Sequence, residues 1–435
     1  MDFPPLFLVQ KFKQEDYMIR YTVEEIMEYV EENDVKFIRL AFSDVFGVQK
    51  NIAIMPGELR RAFEHGERFD ANLVNGYEDP DHSELYLLPD PNTMNILPWR
   101  PQEGRVIRFY CSVIKSDGSP YRFDYRRFLQ KTVEECKNAG FMARIGLSSE
   151  FYIFKTDDEG NPTETPLDQG GYFDIAPLDR CENIRREICL TLEEMGVEPK
   201  SSHHEIGPGQ NEIDFVGADA LTSADNFMTY KNVIGAIAAR NGVYASFEPK
   251  PIHGKPGNGL HLKISLFHHG ESLLKTDPKK HNHFMAGVLN HMRDLTAFLN
   301  TQMESYERFG QNEAPKYITW SKQNRSRLLR LYDGESSSND GFILRSPDSG
   351  INPYIAFAVI LQAGLAGIRE EAELMEPLDK PSTEIDDQER MKLKQLPLSL
   401  AEAIALAEGS EFITSLQDYD ILHKFLENIQ EKENV

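Results

Sequence analysis

The stretch Ser201 to Phe215, reading SSHHEIGPGQNEIDF, constrains the chain more than any other. It places two histidines, two glutamates, a glutamine and an aspartate within fifteen residues. Glu205 and Glu212 are seven apart, with Gly207, Pro208 and Gly209 between them. Such turn chemistry argues against a continuous helix and predicts a strand, a turn and a returning strand. The return brings the two carboxylates back towards each other. Converging carboxylates either hold a hard divalent cation through oxygen or do acid–base work. If they do not converge, they are two solvated glutamates beside a turn. The rest of the chain decides between these readings.

The chain has 435 residues, enough for one large domain or two to three ordinary ones. Hydrophobic residues make up 40% and charged residues 27%, the balance of an ordered, water-soluble protein. The formal net charge of −23 opposes nucleic acid as a general partner, because phosphate backbones need a basic field. It equally opposes an anionic membrane surface. It leaves room for a phosphorylated small molecule, which a few local arginines or a metal can hold. No apolar run approaches the ~20 residues of a membrane span. The opening residues, MDFPPLFLVQKFKQED, lack the charged-then-apolar order of a signal peptide. Cys111, Cys136, Cys181 and Cys189 form no CxxC pair, so neither a zinc site nor a disulfide framework is expected. The expected location is a reducing cytoplasm.

Along the chain, YTVEEIMEYVEEN (21–33) has a Thr N-cap and helical apolar spacing. Two strands around a turn at Asp44–Gly47 follow. A short helix is expected at 57–66, a loop-rich stretch from Phe69 to Thr93, and a strand at 104–114. A boundary falls near Asp117–Tyr121, giving a small β-rich domain at 1–116 and a larger domain at 117–435. The larger one mixes helices with antiparallel strands. These include a strand carrying Glu150, a strand VYASFEPKP, a strand after GNG carrying His261, one long helix over 279–301 and a buried apolar helix from Asn352. The last five residues, EKENV, are expected to fray. The fold class is α+β.

Four groups on separate elements can carry chemistry: Glu150; Glu205 with Glu212; His261 after its glycine turn; and the arginines Arg308, Arg325, Arg330 and Arg345. Each alone has a plain explanation. A strand arginine faces solvent or pairs with a carboxylate, and a histidine after a glycine turn is a hydrogen-bonded structural residue. Together they supply oxygen ligands for Mg²⁺ or Mn²⁺, close backbone approach, and guanidiniums suited to phosphate or carboxylate. The combination points to metal-assisted phosphoryl transfer to a carboxylate.

The chain resembles the class I bacterial glutamine synthetases. SDVFG at 43–47, LPDPNT, DGSPY, HHEIGPGQNEID, FEPKP, GNGLH, EAP, NRS and RSPDSGINPYIAF occur in the family's order across nearly the whole chain. The resemblance implies a β-grasp-like N-terminal domain and a C-terminal catalytic α+β domain. It implies homo-oligomers, hexameric rings or dodecamers, with sites shared between neighbours. The implied reaction joins glutamate to ammonia with ATP through a γ-glutamyl phosphate. By position, Glu150, Glu205 and Glu212 match the ligands of the first metal, and His261 one ligand of the second. Asp44 matches the residue that helps deprotonate ammonium, and Glu313 the flap glutamate. Arg308, Arg345 and Gly257 match the glutamate contacts. Arg325 and Arg330 match the phosphate-facing arginines, while Lys263 and Ser265 fall in the nucleotide site.

The departures from the family pattern cluster on the nucleotide side. Ser148 and Ile343 stand where the second metal's two glutamates are expected, and Gly341 where an arginine is. Lys263 stands in place of a histidine and Pro256 in place of an asparagine that helps hold glutamate. Losing both carboxylates of a three-ligand site, with only His261 left, should sharply weaken it for Mg²⁺. A carboxylate from Glu335 or Asp340 is the expected compensation if a second ion binds. The chain also ends before the aromatic tail and helical strap that lock two rings in the family. Three readings follow: glutamine synthesis from ammonia, ligation of another amine or acid, and a non-catalytic homologue that keeps one metal site and has lost ordinary ATP use.

Overall fold

The computed structural model describes residues 21–77, 83–100, 103–332, 340–380 and 384–434. The helix Val23–Glu32 opens on a capping box, in which the Thr22 side chain accepts from Glu25 N–H and the Glu25 carboxylate accepts from Thr22. The strand Val35–Ser43 then pairs antiparallel with Gln49–Ile54 and parallel with Arg105–Ile114. Arg105–Ile114 also pairs with Glu84–Pro89, which pairs with Glu67–Asp70. The segment expected to be loop-rich therefore contains the strand Glu84–Pro89 and the end of Glu67–Asp70. Leu85 and Leu87 alternate inward there as strand residues must, but the proline-rich run after them reads as a turn. The tight turn at 44–48 is docked on the larger sheet's neighbourhood, because the Asn352 amide donates to the carbonyls of Asp44 and Val45.

The second sheet carries the chemistry. Its strands lie in the order Trp320–Ser321, Leu329–Tyr332, Gly341–Leu344, Leu260–His268, Met142–Thr156, Gln210–Asp219 and Pro199–His204. The central strand Met142–Thr156 sends Ile145, Leu147, Phe151 and Ile153 to one face, all fully buried. Helix Ala220–Arg240 covers that face, with Tyr230 donating to the Ser149 carbonyl. Behind it, Pro353–Arg369 is apolar all round and packs against Pro278–Asn290 and Tyr125–Asn138. The alternate residues of the same strand, Gly146, Ser148 and Glu150, point to the opposite, open face.

Three local expectations change. The long helix at 279–301 is two, Pro278–Asn290 and Met292–Leu299, because His291 ends one and begins the next. The strand over VYASFEPKP shortens to Val243–Ser246, since its prolines cannot continue a ladder. The last helix, Tyr419–Glu433, runs almost to the terminus, where the Glu433 carboxylate accepts Met303 N–H and Lys432 lies over the Phe46 ring.

Candidate active site

The organising stretch folds as a strand, Pro199–His204, a turn, and a returning strand, Gln210–Asp219. Glu205 N–H donates to the Gln210 carbonyl at 2.8 Å and Gln210 N–H to the Gly207 carbonyl at 3.0 Å. Gly209 sits at φ +68°, where a side chain is strained. Asp168 pins this turn from below: its Oδ1 accepts Gly209 N–H at 2.8 Å and lies 2.9 Å from His204 Nε2. Burial opposes ionisation of Asp168, yet hydrogen bonds from His204, Arg180 and Gly209 hold its carboxyl well below the usual range. Asp168, Asp179 and Cys181 form a second acidic cluster. Its oxygens already face Arg185, His204 and backbone N–H groups, so it is scaffold.

Register carries the site across three strands. His203 lies opposite Glu212, and Glu212 opposite Glu150, so all three side chains share the open face. Ligand atoms of His203, Glu205 and Glu212 lie within 4.8 Å of one another, a spacing fit for one divalent cation. Glu150 stands beside this trio rather than within it. Its Oε2 accepts from Gln210 Nε2 at 3.0 Å and Gly259 N–H at 2.9 Å. His261 Nδ1 is 4.0 Å from Glu212 Oε2. Two of these residues were invisible as site residues in the sequence, although the motif contains them. His203 shares a strand face with Glu205 by simple alternation. Gln210 ties Glu150 to the Gly257 carbonyl.

The electrostatics are those of crowded carboxylates. Burial, then Glu212 and Glu205, raises the Glu150 pKa well above its ordinary value. Burial, then Asp214 and Glu205, pushes Glu212 up to about 7. Burial works to lower the His203 pKa, but the Glu205 hydrogen bond and the Glu212 charge lift it. A divalent cation held here would offset the crowding of Glu150 and Glu212 and would take His203 as a neutral ligand. Above the cluster, Tyr172 and Phe173 stack at 4.0 Å and stand edge-on to His203.

Arginines border the carboxylates. Arg308 is buried, pairs with Asp348 at 3.4 Å and donates to the Pro347 carbonyl. A Cβ placed on Gly259 would stand 3.5 Å from Arg308 Nη2 and 3.6 Å from both Glu150 Oε1 and His261 Nε2, so these groups surround one point. Gly257 packs on the Arg308 stem, 2.7 Å from its would-be Cβ to Arg308 Cγ. Arg345 lies 3.4 Å from Glu313, whose side chain is 61% exposed on a loop at φ +68°. Among the described residues, the buried Nε atoms of Arg330 and Arg345 have no hydrogen-bond partner, leaving donors for a ligand. Arg325 is exposed at the same rim and acts on Tyr172 and Arg330. Asp44 belongs to the turn after the first sheet's strand Val35–Ser43, its carboxylate taken by Phe46 and Val48 N–H and by Lys50 at 3.2 Å.

The second donor set does not assemble. His261 lies opposite Ser148 and no carboxylate. Ile343 is 4% exposed and lies opposite Lys263 and Arg330. Asp340, one of the two expected substitutes, is instead paired with Lys275 at 2.6 Å; Glu335 lies outside the described residues. A side chain at 341 would run into the Ile264 carbonyl and come within 2.9 Å of Ser265 Oγ, so glycine there leaves Ser265 facing the sheet's open side. Pro256 offers its carbonyl to the Tyr152 hydroxyl at 2.7 Å. Burial, then Arg345, Arg308, Lys263 and Arg330, keeps His261 neutral. Among the described residues, the groups fit the first cation and do not fit a second.

Comparison with known proteins identifies the family and the fold. The model of the glutamine synthetase β-grasp domain matches residues 34–116, and that of the glutamine synthetase catalytic domain matches residues 122–434. A β-grasp domain followed by this catalytic domain defines a class of carbon–nitrogen ligases. The chain belongs to the glutamine synthetase family. It is 42% identical over 401 residues to the glutamine synthetase of Methanosarcina mazei, covering 90% of each chain. It is 40% identical over 403 residues to that of Clostridium saccharobutylicum, covering 91% of each. Among solved structures, GmaS in its ADP complex aligns with TM-score 0.83 at 26% identity, over 94% of this chain and 96% of that one. Plasmodium falciparum glutamine synthetase shares the fold, with TM-score 0.83 at 23% identity over 97% of each chain. Among the described residues, no helix is long and apolar enough to cross a membrane.

Proposed function

We propose that this protein is an ATP-dependent ligase that joins the side-chain carboxylate of glutamate to ammonia or a small amine. The observation that carries the reading is the His203–Glu205–Glu212 cluster with Glu150 beside it, bordered by Arg308 and Arg345. The ADP-bound relative supports nucleotide use. In the first step a glutamate oxygen attacks the terminal phosphorus of ATP; a C–O–P link forms and the bond to ADP breaks. In the second, the amine nitrogen attacks the acyl carbon, phosphate leaves, and the nitrogen loses a proton. Mg²⁺ or Mn²⁺ held by His203, Glu205 and Glu212 would neutralise negative charge on the reacting oxygens.

The chain's own groups do the rest. Arg308 and Arg345, with the Gly257 backbone, hold the substrate carboxylates. Arg330 and Arg325 face the transferred phosphoryl group and stabilise its charge. Glu313, on its strained, exposed loop, closes the site against water through the Arg345 pair. Asp44, contributed by a neighbouring subunit of a homo-oligomer, takes the proton from the incoming amine; burial already raises its pKa, which suits a base. ADP release from ATP and glutamate, measured with ammonium, hydroxylamine and methylamine, tests the reading. Amine-dependent ADP release with glutamate supports it, and the preferred amine names the product. Release that is absent with every amine contradicts it.

A further inference from the structure

On the open face of the sheet, Asp214, Ser148 and His261 form one row across three strands. One step along, Lys263 lies opposite Gly146 on one side and Ile343 on the other. Lys263 and Asp214 stand on strands that do not touch, separated by Met142–Thr156. Yet Lys263 Nζ is 3.2 Å from Asp214 Oδ2. The lysine stem therefore spans the central strand, and it can do so because that strand presents only Gly146 and Ser148 beneath it. A Cβ on Gly146 would already be 3.5 Å from Lys263 Cβ. A longer side chain at 148 would occupy the path of the ammonium. The anchor is firm: Asp214 Oδ2 also accepts the Ser201 hydroxyl at 3.0 Å, and the carboxylate is only 16% exposed.

Cationic groups crowd this point. Arg345, Arg308, Lys263 and Arg330 act on His261 against the one carboxylate beside it, Glu212 at 4.0 Å, and Asp214 Oδ2 in its row is engaged by the Lys263 ammonium. An ammonium carries three donors, and Asp214 uses one of them.

Resting on the ligase reading above, we propose that Lys263 is a built-in cation standing where a second divalent ion is expected. Each subunit then holds one resident divalent cation, at His203, Glu205 and Glu212. The phosphate chain of a nucleoside triphosphate is met on the other side by Lys263 and Arg330. Ser148, Ile343 and Lys263 are one coordinated exchange: two carboxylates are lost, and the small residue at 148 admits the lysine that replaces the ion they would have held.

Two measurements on the full chain decide this. Equilibrium dialysis with Mn²⁺, without nucleotide, should give one ion per chain, with the electron paramagnetic resonance spectrum of isolated Mn²⁺. Two ions per chain, or a spin-coupled pair, overturn the inference and leave the ligase reading standing. No bound ion overturns the metal site itself. Calorimetric titration of the Mn²⁺-loaded protein with inorganic triphosphate should then show K263M binding roughly tenfold more weakly than wild type, as expected for loss of one charge-assisted contact. Equal affinity overturns the role given to Lys263.

Discussion

Glu212 carries the densest set of constraints in the chain. It faces His203 on one strand and Glu150 on the other, with Asp214 and Glu205 adding negative charge. Without a cation, its ionised form is held at a cost, which is why its carboxyl is pushed up to about 7. The sign follows directly. A carboxyl raised above its unfolded value destabilises the fold fully above the folded pKa, and the penalty fades as pH falls towards the unfolded value. Glu212→Gln should therefore stabilise the metal-free protein by about 1–3 kcal/mol at pH 8, with the gain shrinking as pH drops below 7. Thermal denaturation in a chelator, across that pH range, checks this. In the same variant Mn²⁺ affinity should fall about 100-fold. A variant that is more stable yet blind to metal is the signature of a binding residue; one merely destabilised would mark Glu212 as structural.

Among the elements, the turn between Pro199–His204 and Gln210–Asp219 and the glycine run 257–259 bring the site together. Gly257 has no room for a side chain: a Cβ would meet the Pro249 carbonyl and stand 2.7 Å from Arg308 Cγ. Gly257→Ala should displace Arg308 and raise the apparent KM for glutamate at least ~10-fold, while melting only a few degrees lower. Steady-state kinetics beside thermal denaturation separate the two effects. The turn itself was legible in the sequence, because Gly-Pro-Gly punctuates so strongly that strand, turn and strand follow. The presence of Glu150 and His261 on strands was legible too, as were the arginines, of which only Arg330 lies within a strand. The neighbours that define the site were not. His203 reaches the cluster through a register with Glu212 that only the folded sheet specifies. The Lys263–Asp214 pair links residues 49 apart in the chain across an intervening strand, and no local pattern signals it. The strand Glu84–Pro89 was hidden for the opposite reason: its short length and the prolines at and after its end, Pro89 and Pro91, imitate a loop. His291 broke a helix whose apolar periodicity runs on unbroken.

For the whole molecule, the placement of Asp44 on a different sheet from the carboxylate cluster matters most. Within one chain Asp44 is occupied by its own turn and by Lys50, while the cluster lies on the second sheet. A site that draws Asp44 from a neighbour makes activity a property of the assembly. Asp44→Ala and Glu212→Gln chains should each be inactive alone. Co-assembled after dissociation, they should recover roughly a quarter of wild-type activity, since random pairing leaves about one site in four with both groups intact. No recovery, with mixed oligomers shown to form, would place Asp44 outside the shared site.

The central claim, that this carboxylate–imidazole cluster holds the cation on which nucleotide binding depends, is tested most directly by calorimetric titration with ATP. The titration is run on wild type and Glu212→Gln, each with and without Mn²⁺. The account predicts micromolar binding by wild type with Mn²⁺, and much weaker binding when either the metal or Glu212 is removed. Absence of binding by wild type at millimolar ATP with Mn²⁺ present would contradict it, and the cluster would then stand as a metal site with no nucleotide partner.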